Sequence, residues 1–394
     1  MISRFLDKDD PAEVRRLVPL LTLARLVGNS TFRLATPFLA IIGRGLGVSL
    51  PTMGEALSAG EFTGLLAPLI GRRADRHGRR QAMSIGAVVV GVGALIAAIS
   101  PTALVFALAI VTVSFGKLLF DPAMGAWIGD RVDYAKRARV IGITELAWAG
   151  SMLLVIPVLG LVVATAGWRW AYVVLAVAGA AISWAVRRAL PEDRVAPDAR
   201  TSARFRFTRA ATCGVAGFAL LMMAANCLFV VFGAWLEDTF GFSAAAIGAT
   251  AIVLGVAEVT ATSSTIRFTD RIGKRRAVIA GAALMVPLGL ALSIVGHHVV
   301  LGLIVVGVYV AGFEFAIVSG LPLLTELQPH ARAASLGIAV GLGTVGRGIV
   351  SIVATRLYAA HGVGAAGALG SICAAGVIVT YGIGLRGVGH LSSA

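Results

Sequence analysis

Charge is what this chain lacks most. Only 14% of its 394 residues are Asp, Glu, Lys or Arg, where soluble domains carry about a quarter. At the same time 58% are hydrophobic, with a mean hydropathy of +0.89. That shortage excludes an ordinary water-soluble domain and points to a membrane protein. Aromatics are also few, at 7%, and Ala and Gly fill their place, which suits helices whose backbones approach closely in lipid. Cysteine is limited to Cys213, Cys227 and Cys373, all within apolar runs and without CxxC or metal-ligand spacing. They read as small hydrophobes, and no redox, zinc or other metal site is expected. Gly341, Gly343 and Gly346 match Gly-x-Gly-x-x-Gly but lie in an apolar run with no preceding strand, so helix packing explains them better than nucleotide binding. With no clustered nucleophile and base either, the chain is not expected to be an enzyme, and no cofactor is expected. The first ten residues mix acids and bases, with no short apolar core and cleavage site after them, so no removable secretory signal is expected. A net charge of +14 invites a nucleic-acid reading, but in a membrane chain it reports loop orientation, and no nucleic-acid partner is expected.

What the chain has is long apolar runs. A bilayer core takes about 20 apolar residues in a helix. Twelve segments qualify, at about 18–42, 51–70, 82–100, 102–128, 139–164, 169–186, 210–235, 244–266, 277–296, 298–321, 333–355 and 363–386. Runs this long exclude barrel strands of about ten residues, so helices must satisfy the backbone in lipid. Apart from Arg44, Arg169 and Arg356, and from Arg25, Arg33, Lys117 and Arg347 inside the segments, all 34 Lys and Arg fall on one side. That asymmetry predicts that both termini are cytoplasmic, in a multi-pass protein of the plasma membrane. The one long polar stretch, 187–209, falls at mid-chain and separates residues 1–186 from 210–394 as two bundles of six helices.

The halves repeat. Asp75-Arg76-His77-Gly78-Arg79-Arg80 returns 195 positions later as Asp270-Arg271-Ile272-Gly273-Lys274-Arg275, and the same offset carries Arg137-Ala138 and Gly142 onto Arg332-Ala333 and Gly337. Six helices per copy insert both copies in one orientation, which makes a parallel repeat about an axis normal to the membrane.

Ionisable groups at bilayer depth are expensive and usually mark a partner or a transport route. Arg25, Asn29 and Arg33 recur at i, i+4 and i+8, on one helix face, and Lys117 and Asp121 are spaced for an ion pair. Burial in an apolar cavity favours the neutral form of a carboxyl, so such a pair could be opened by a proton. Glu61, Glu145, Glu258, Glu314 and Arg347 complete the intramembrane set.

The loop Gly71-Arg-Arg-Ala-Asp75-Arg76-His-Gly78-Arg79-Arg80 resembles the signature of the major facilitator superfamily, Gly-x-x-x-Asp-Arg-x-Gly-Arg-Arg. The resemblance spans the chain: twelve segments, a central loop and a second copy of the motif. It implies an all-α membrane protein with twelve transmembrane helices in two pseudo-symmetric six-helix bundles, the major facilitator fold. It also implies that Asp75 sits near the start of the eleventh helix and that Arg79 pairs with an acid ending the fourth, for which Asp130 is the candidate. Gly71, Asp75, Arg76, Gly78, Arg79, Asp130, Asp270 and Arg271 would then form a conformational latch. Ile266 stands where the second copy needs the equivalent of Gly71, so the first copy is expected to matter more.

By the same resemblance, the first, fourth, seventh and tenth helices line a central cavity. Arg25, Asn29, Arg33, Lys117 and Asn226 become substrate-cavity candidates, and Asp121, Glu314 and Glu145 candidates for proton coupling. The second, fifth, eighth and eleventh helices form the interface between halves, making Glu61, Glu258 and Arg347 gate candidates. Gly150, Pro157 and Gly160 resemble the fifth-helix motif of family members that exchange solute for protons. The expected function is a proton-coupled secondary transporter working as a monomer in the bilayer and exporting small amphipathic compounds by alternating access, in the manner of multidrug antiporters. The alternative is an organic-anion or sugar-type transporter using Arg25, Arg33 and Lys117.

Overall fold

The computed structural model describes residues 11–66, 78–191 and 206–385. Among them every regular element is a helix. In chain order these are α1 (Ala12–Arg33), α2 (Leu39–Gly45), α3 (Leu50–Glu61) with a 3-10 turn at Phe62–Leu66, α4 (Arg79–Ile99), α5 (Ala103–Arg131) and α6 (Tyr134–Gly150). A π-helical turn at Ser151–Val155 leads into α7 (Ile156–Ala166), followed by α8 (Trp168–Ala189), α9 (Arg209–Phe229), α10 (Phe232–Phe240) and α11 (Ala244–Ile272). The last four are α12 (Lys274–Val295), α13 (Val299–Glu326), α14 (Arg332–His361) and α15 (Val363–Gly384).

Ten helical stretches among the described residues are long and apolar enough to cross a membrane. The other two expected spans are helical but of different character. α1 begins six residues earlier than expected and carries Glu13, Arg15, Arg16, Arg25 and Arg33, which dilutes its apolar length. It stops at Arg33, and a turn through Pro37 separates it from α2. α3 gives way to the tighter 3-10 turn at Phe62, and residues 67–70 of the second segment lie outside the described set. The fifth and seventh segments, expected as continuous helices, are likewise interrupted, by the π turn and by the break between α9 and α10. Long uniformly apolar sequence carries no periodic signal that would mark such breaks.

The chain resolves into two compact units: Met1–Ala35 with Leu66–Ala199 and Ala244–Ile252, and Thr36–Leu65 with Arg200–Ser243 and Val253–Ala394. The first has a core of Val14, Leu17, Met83, Phe120, Trp127 and Val186 among others, where α1, α4, α5 and α8 meet. In the second, Val215, Phe218, Leu324 and Ala339 tie α9 to α13 and α14. Local chemistry fixes several helix starts. The hydroxyls of Thr102 and Thr208 accept from the backbone N–H of Val105 and Ala211, capping α5 and α9.

The repeat seen in sequence is also a repeat of backbone geometry. The described residues of positive φ are all glycines, and they fall into three pairs: Gly47 and Gly241 (69° and 66°), Gly78 and Gly273 (84° each), Gly167 and Gly362 (93° and 74°). The last two pairs share the 195-residue offset and each begins a helix; only glycine takes this conformation without strain. Side chains follow. Arg80 Nε donates to the carbonyl of Arg187 at 2.9 Å and Arg275 Nη2 to that of Gly382 at 2.7 Å. Close helix packing repeats as well: a Cβ on Gly86 would meet the Gly116 carbonyl, and one on Gly281 that of Gly312.

Candidate functional site

Within the first unit, α1, α5 and α6 bring six polar side chains together. The i, i+4 spacing puts Asp121 Oδ2 3.0 Å from Lys117 Nζ. Arg25 Nε approaches the other oxygen, Oδ1, at 3.6 Å, and Arg25 Nη1 donates to Glu145 Oε1 at 2.7 Å and toward Thr144 Oγ1 at 3.4 Å. Lys117 Nζ also donates to Asn29 Oδ1. Two cations and two carboxylates therefore neutralise one another around a small cavity lined by Arg25, Gly28, Lys117 and Asp121, with apolar Ala87 and Val90 behind. Asn29 is 1% exposed. The Asp121 and Glu145 side chains keep 29% and 49% exposure, so the cluster opens to the surface of its unit.

Arg33, on the same face of α1, is placed differently from its expected cavity role. It is 5% exposed, donates through Nη1 to the Trp148 carbonyl at 3.0 Å and toward Ser151 Oγ at 3.4 Å, and stacks on the Trp148 ring at 4.3 Å. It therefore grips the chain where α6 passes into the π turn. Such turns carry carbonyls displaced from the regular ladder, and here one is met by a guanidinium. Gly150 and Pro157 bracket the turn, and Gly160 lies so near Gly248 that a Cβ would come within 2.8 Å of its Cα.

In the second unit, Arg347 Nη2 pairs with Glu61 Oε1 at 2.8 Å, with side-chain exposures of 18% and 9%. Asn226 is turned to the same place, donating to the Arg347 carbonyl at 3.0 Å and to Ser351 Oγ at 2.8 Å, and Ser58 Oγ donates to the Gly348 carbonyl at 2.7 Å. Glu258 and Glu314 are both buried, the latter accepting from Thr262 Oγ1 at 3.3 Å. A further set carries no spacing signal in the sequence: Arg356 with Glu55 at 2.6 Å, Arg44 with Glu237, and Tyr358 donating to Asp238 Oδ2 at 2.9 Å. Their signal was available in the scarcity of charge. Arg44 and Arg356 are two of the three cations on the otherwise unbasic side, and acids answer both.

Gly71, Asp75 and Arg76 of the expected latch lie outside the described residues, as does the Asp270 side chain; Arg271 is exposed. Gly78 begins α4 at φ 84°, and Arg79 Nε meets Asp130 Oδ2 at 3.4 Å. The counterpart, Lys274 with Glu326, occupies the same place in the second half.

A family model for the Major Facilitator Superfamily matches residues 21–355. The chain belongs to the major facilitator superfamily. Its fold agrees with solved members. A bacterial homologue of the human lysosomal transporter Spinster, in an inward-facing, unoccupied conformation, superposes with a TM-score of 0.72 at 15% identity, covering 94% of this chain and 95% of that one. A POT family transporter in complex with a thioalcohol-conjugated peptide gives 0.77 at 13% identity, covering 92% and 95%. The human organic anion transporter MFSD10 (TETRAN) gives 0.66 at 19% identity, covering 94% and 99%. Among curated sequences, an uncharacterized MFS-type transporter of Bacillus subtilis (strain 168), YwfA, is 22% identical over 153 residues. That match spans 39% of this chain and 37% of the relative's length. As a superfamily member with an all-helical fold, this is an integral, multi-pass membrane transporter and not an enzyme.

The repeat itself separates scaffold from site. Latch and glycine contacts recur at the offset or one residue beyond it, but the positions answering to Arg25, Asn29 and Glu145 are Leu220, Ala224 and Val340. Gly116 aligns with Gly312 and Asp130 with Glu326, so Lys117 and Asp121 answer to Phe313 and Ile317. The charged cluster belongs to one half alone, which marks it as added chemistry and not shared architecture.

Proposed function

We propose that this major facilitator protein is a proton-coupled secondary transporter of small organic solutes, with Asp121 taking and releasing the coupling proton. The observation that supports this is one carboxylate held between two cations, Lys117 and Arg25, in a cluster found in only one half of the repeat. Protonating Asp121 weakens both contacts at once and changes the charge of the cluster by one unit, so a proton can alter what the site binds and which helices it ties together. Glu145, sharing Arg25, and the buried Glu314 are the other carboxylates through which a proton could act.

In this reading, alternating access makes and breaks ion pairs near the helix ends. Glu61 with Arg347 and the Glu55–Arg356 and Arg44–Glu237 pairs form one gate; Arg79 with Asp130 and Lys274 with Glu326 belong to the opposite, basic end. The basic end faces the cytoplasm by the charge asymmetry of the loops, and the protein works as a monomer in the plasma membrane. The fifth helix, whose π turn, Pro157 and close Gly160–Gly248 contact set it apart from a plain span, is the element that bends as access alternates, with either sign of coupling. The test is flux in proteoliposomes across a panel of cationic, neutral and anionic compounds, with and without an imposed pH gradient. Gradient-dependent flux of at least one compound is expected; if no flux responds to the gradient, proton coupling is excluded.

A further inference from the structure

The buried side-chain atoms of the Asp121 cluster that lack a hydrogen-bond partner are donors. Lysine has no acceptor, so Asn29 must turn its oxygen to Lys117, and the amide nitrogen is left with two N–H donors. That nitrogen is buried without a hydrogen-bond partner, as is Arg25 Nε, which at 3.6 Å stands beyond hydrogen-bond distance from Asp121. Buried donors without acceptors are costly, typically about 1–3 kcal/mol each, and a site keeping them invites an acceptor. Asp121 Oδ2 accepts from Lys117, Oδ1 faces Arg25 at ion-pair distance only, and Glu145 accepts from Arg25. A cationic solute would find every carboxylate here matched to a cation, and donors where it needs acceptors.

We propose that the Arg25–Asn29–Lys117 cluster binds the anionic head of a small organic solute, a carboxylate, sulfonate or phosphate, and that it does so when Asp121 is protonated. This rests on the transporter reading above and gives its coupling a sign opposite to exchange. The charged and titratable groups facing Asp121 are Lys117 on its own helix, Arg25 from α1 and, through Arg25, Glu145 from α6. α4 and α8 contribute only Ala87, Val90, Gly179 and Ile182 to the cavity wall. With Asp121 charged, the two cations and two carboxylates cancel. Neutralising Asp121 leaves one positive charge in excess and frees Lys117 Nζ and Arg25 for a new acceptor. The arriving anion restores neutrality and takes up the idle donors of Asn29 and Arg25. Proton and anion therefore assist each other's binding, and by linkage each strengthens the other to the same degree.

Benzenesulfonate tests this because it stays anionic across the working range, so any pH dependence belongs to the protein. Binding to the purified full-length protein in detergent is measured between pH 7.5 and 5.5, with tetraphenylphosphonium as the cationic comparison. Benzenesulfonate should tighten as pH falls, by up to about tenfold per unit, the limit for one linked proton. Asn29→Asp, which keeps the shape but exchanges donors for a negative charge, should abolish binding. Asp121→Asn should bind with no pH dependence, and the thermal midpoints of both variants confirm that they are folded. Benzenesulfonate binding that is absent, or that is independent of pH in the wild type, overturns the proposal. So does Asn29→Asp that is folded and binds like wild type. In liposomes, gradient-driven flux of tetraphenylphosphonium without benzenesulfonate sinks the anion site but keeps proton coupling. No gradient-driven flux of any compound sinks the transporter's coupling itself.

Discussion

Lys117 and Asp121 sit one turn apart on α5 with nitrogen and oxygen 3.0 Å apart, at a place where the second half of the repeat has Phe313 and Ile317. Removing one partner of a fully buried pair costs about 3–5 kcal/mol; with 29% of the Asp121 side chain exposed, the cost here falls toward the lower part of that scale. Lys117→Met should therefore yield a folded protein with a modestly lower melting temperature but at least a tenfold loss of solute flux in proteoliposomes. Equal flux at normal expression would remove Lys117 from the site.

Glu61 and Arg347 make a well-enclosed ion pair in the second unit. Glu61→Gln should lower the melting temperature in detergent, corresponding to about 1–3 kcal/mol, because a buried guanidinium loses its countercharge. The double exchange Glu61→Arg with Arg347→Glu should recover part of that loss. Recovery no better than the worse single variant would show that the two residues do not act as a pair.

The pair of Arg79 with Asp130 predicts the reverse balance. Asp130 is 56% exposed, and such a pair contributes about 0–1 kcal/mol to stability. Arg79→Ala should leave thermal unfolding almost unchanged while slowing transport severalfold. Lys274→Ala, its counterpart in the second half, should have the smaller effect on flux. A large loss of stability in Arg79→Ala with flux scaling only to the folded fraction would make this contact structural.

Helix packing gives a prediction without charge. Gly86→Val and Gly281→Val each drive a side chain into a neighbouring backbone carbonyl, and overpacking of this kind costs about 1–3 kcal/mol. Both variants should show lowered melting temperatures and reduced yield of folded protein. Gly125→Ala meets nothing within 4 Å and should be neutral or slightly stabilising, since Ala is the better helix former.

The architecture was legible because it rests on coarse physics: apolar length, loop charge and an offset of 195 that reappears in Gly78 with Gly273 and Gly167 with Gly362. The helix breaks were not. Pro37 and the π turn at Ser151–Val155 interrupt helices inside runs that are apolar on every side, where no period marks the change. Spacing placed Lys117 with Asp121; that Arg347 pairs with Glu61 and not with Glu258 is information the spacing does not hold. Arg33 shared the face of Arg25 and Asn29 but went to Trp148 and Ser151 instead. Its long side chain reaches the Trp148 carbonyl beside the turn, and sequence spacing holds no record of that contact.

The most direct test of the account is the response of solute flux to an imposed pH gradient in proteoliposomes, compared between wild type and Asp121→Asn reconstituted to equal density. The account predicts that wild-type flux rises severalfold when the gradient is applied and that the flux of Asp121→Asn is the same with and without it. A gradient response in Asp121→Asn equal to that of the wild type would contradict it.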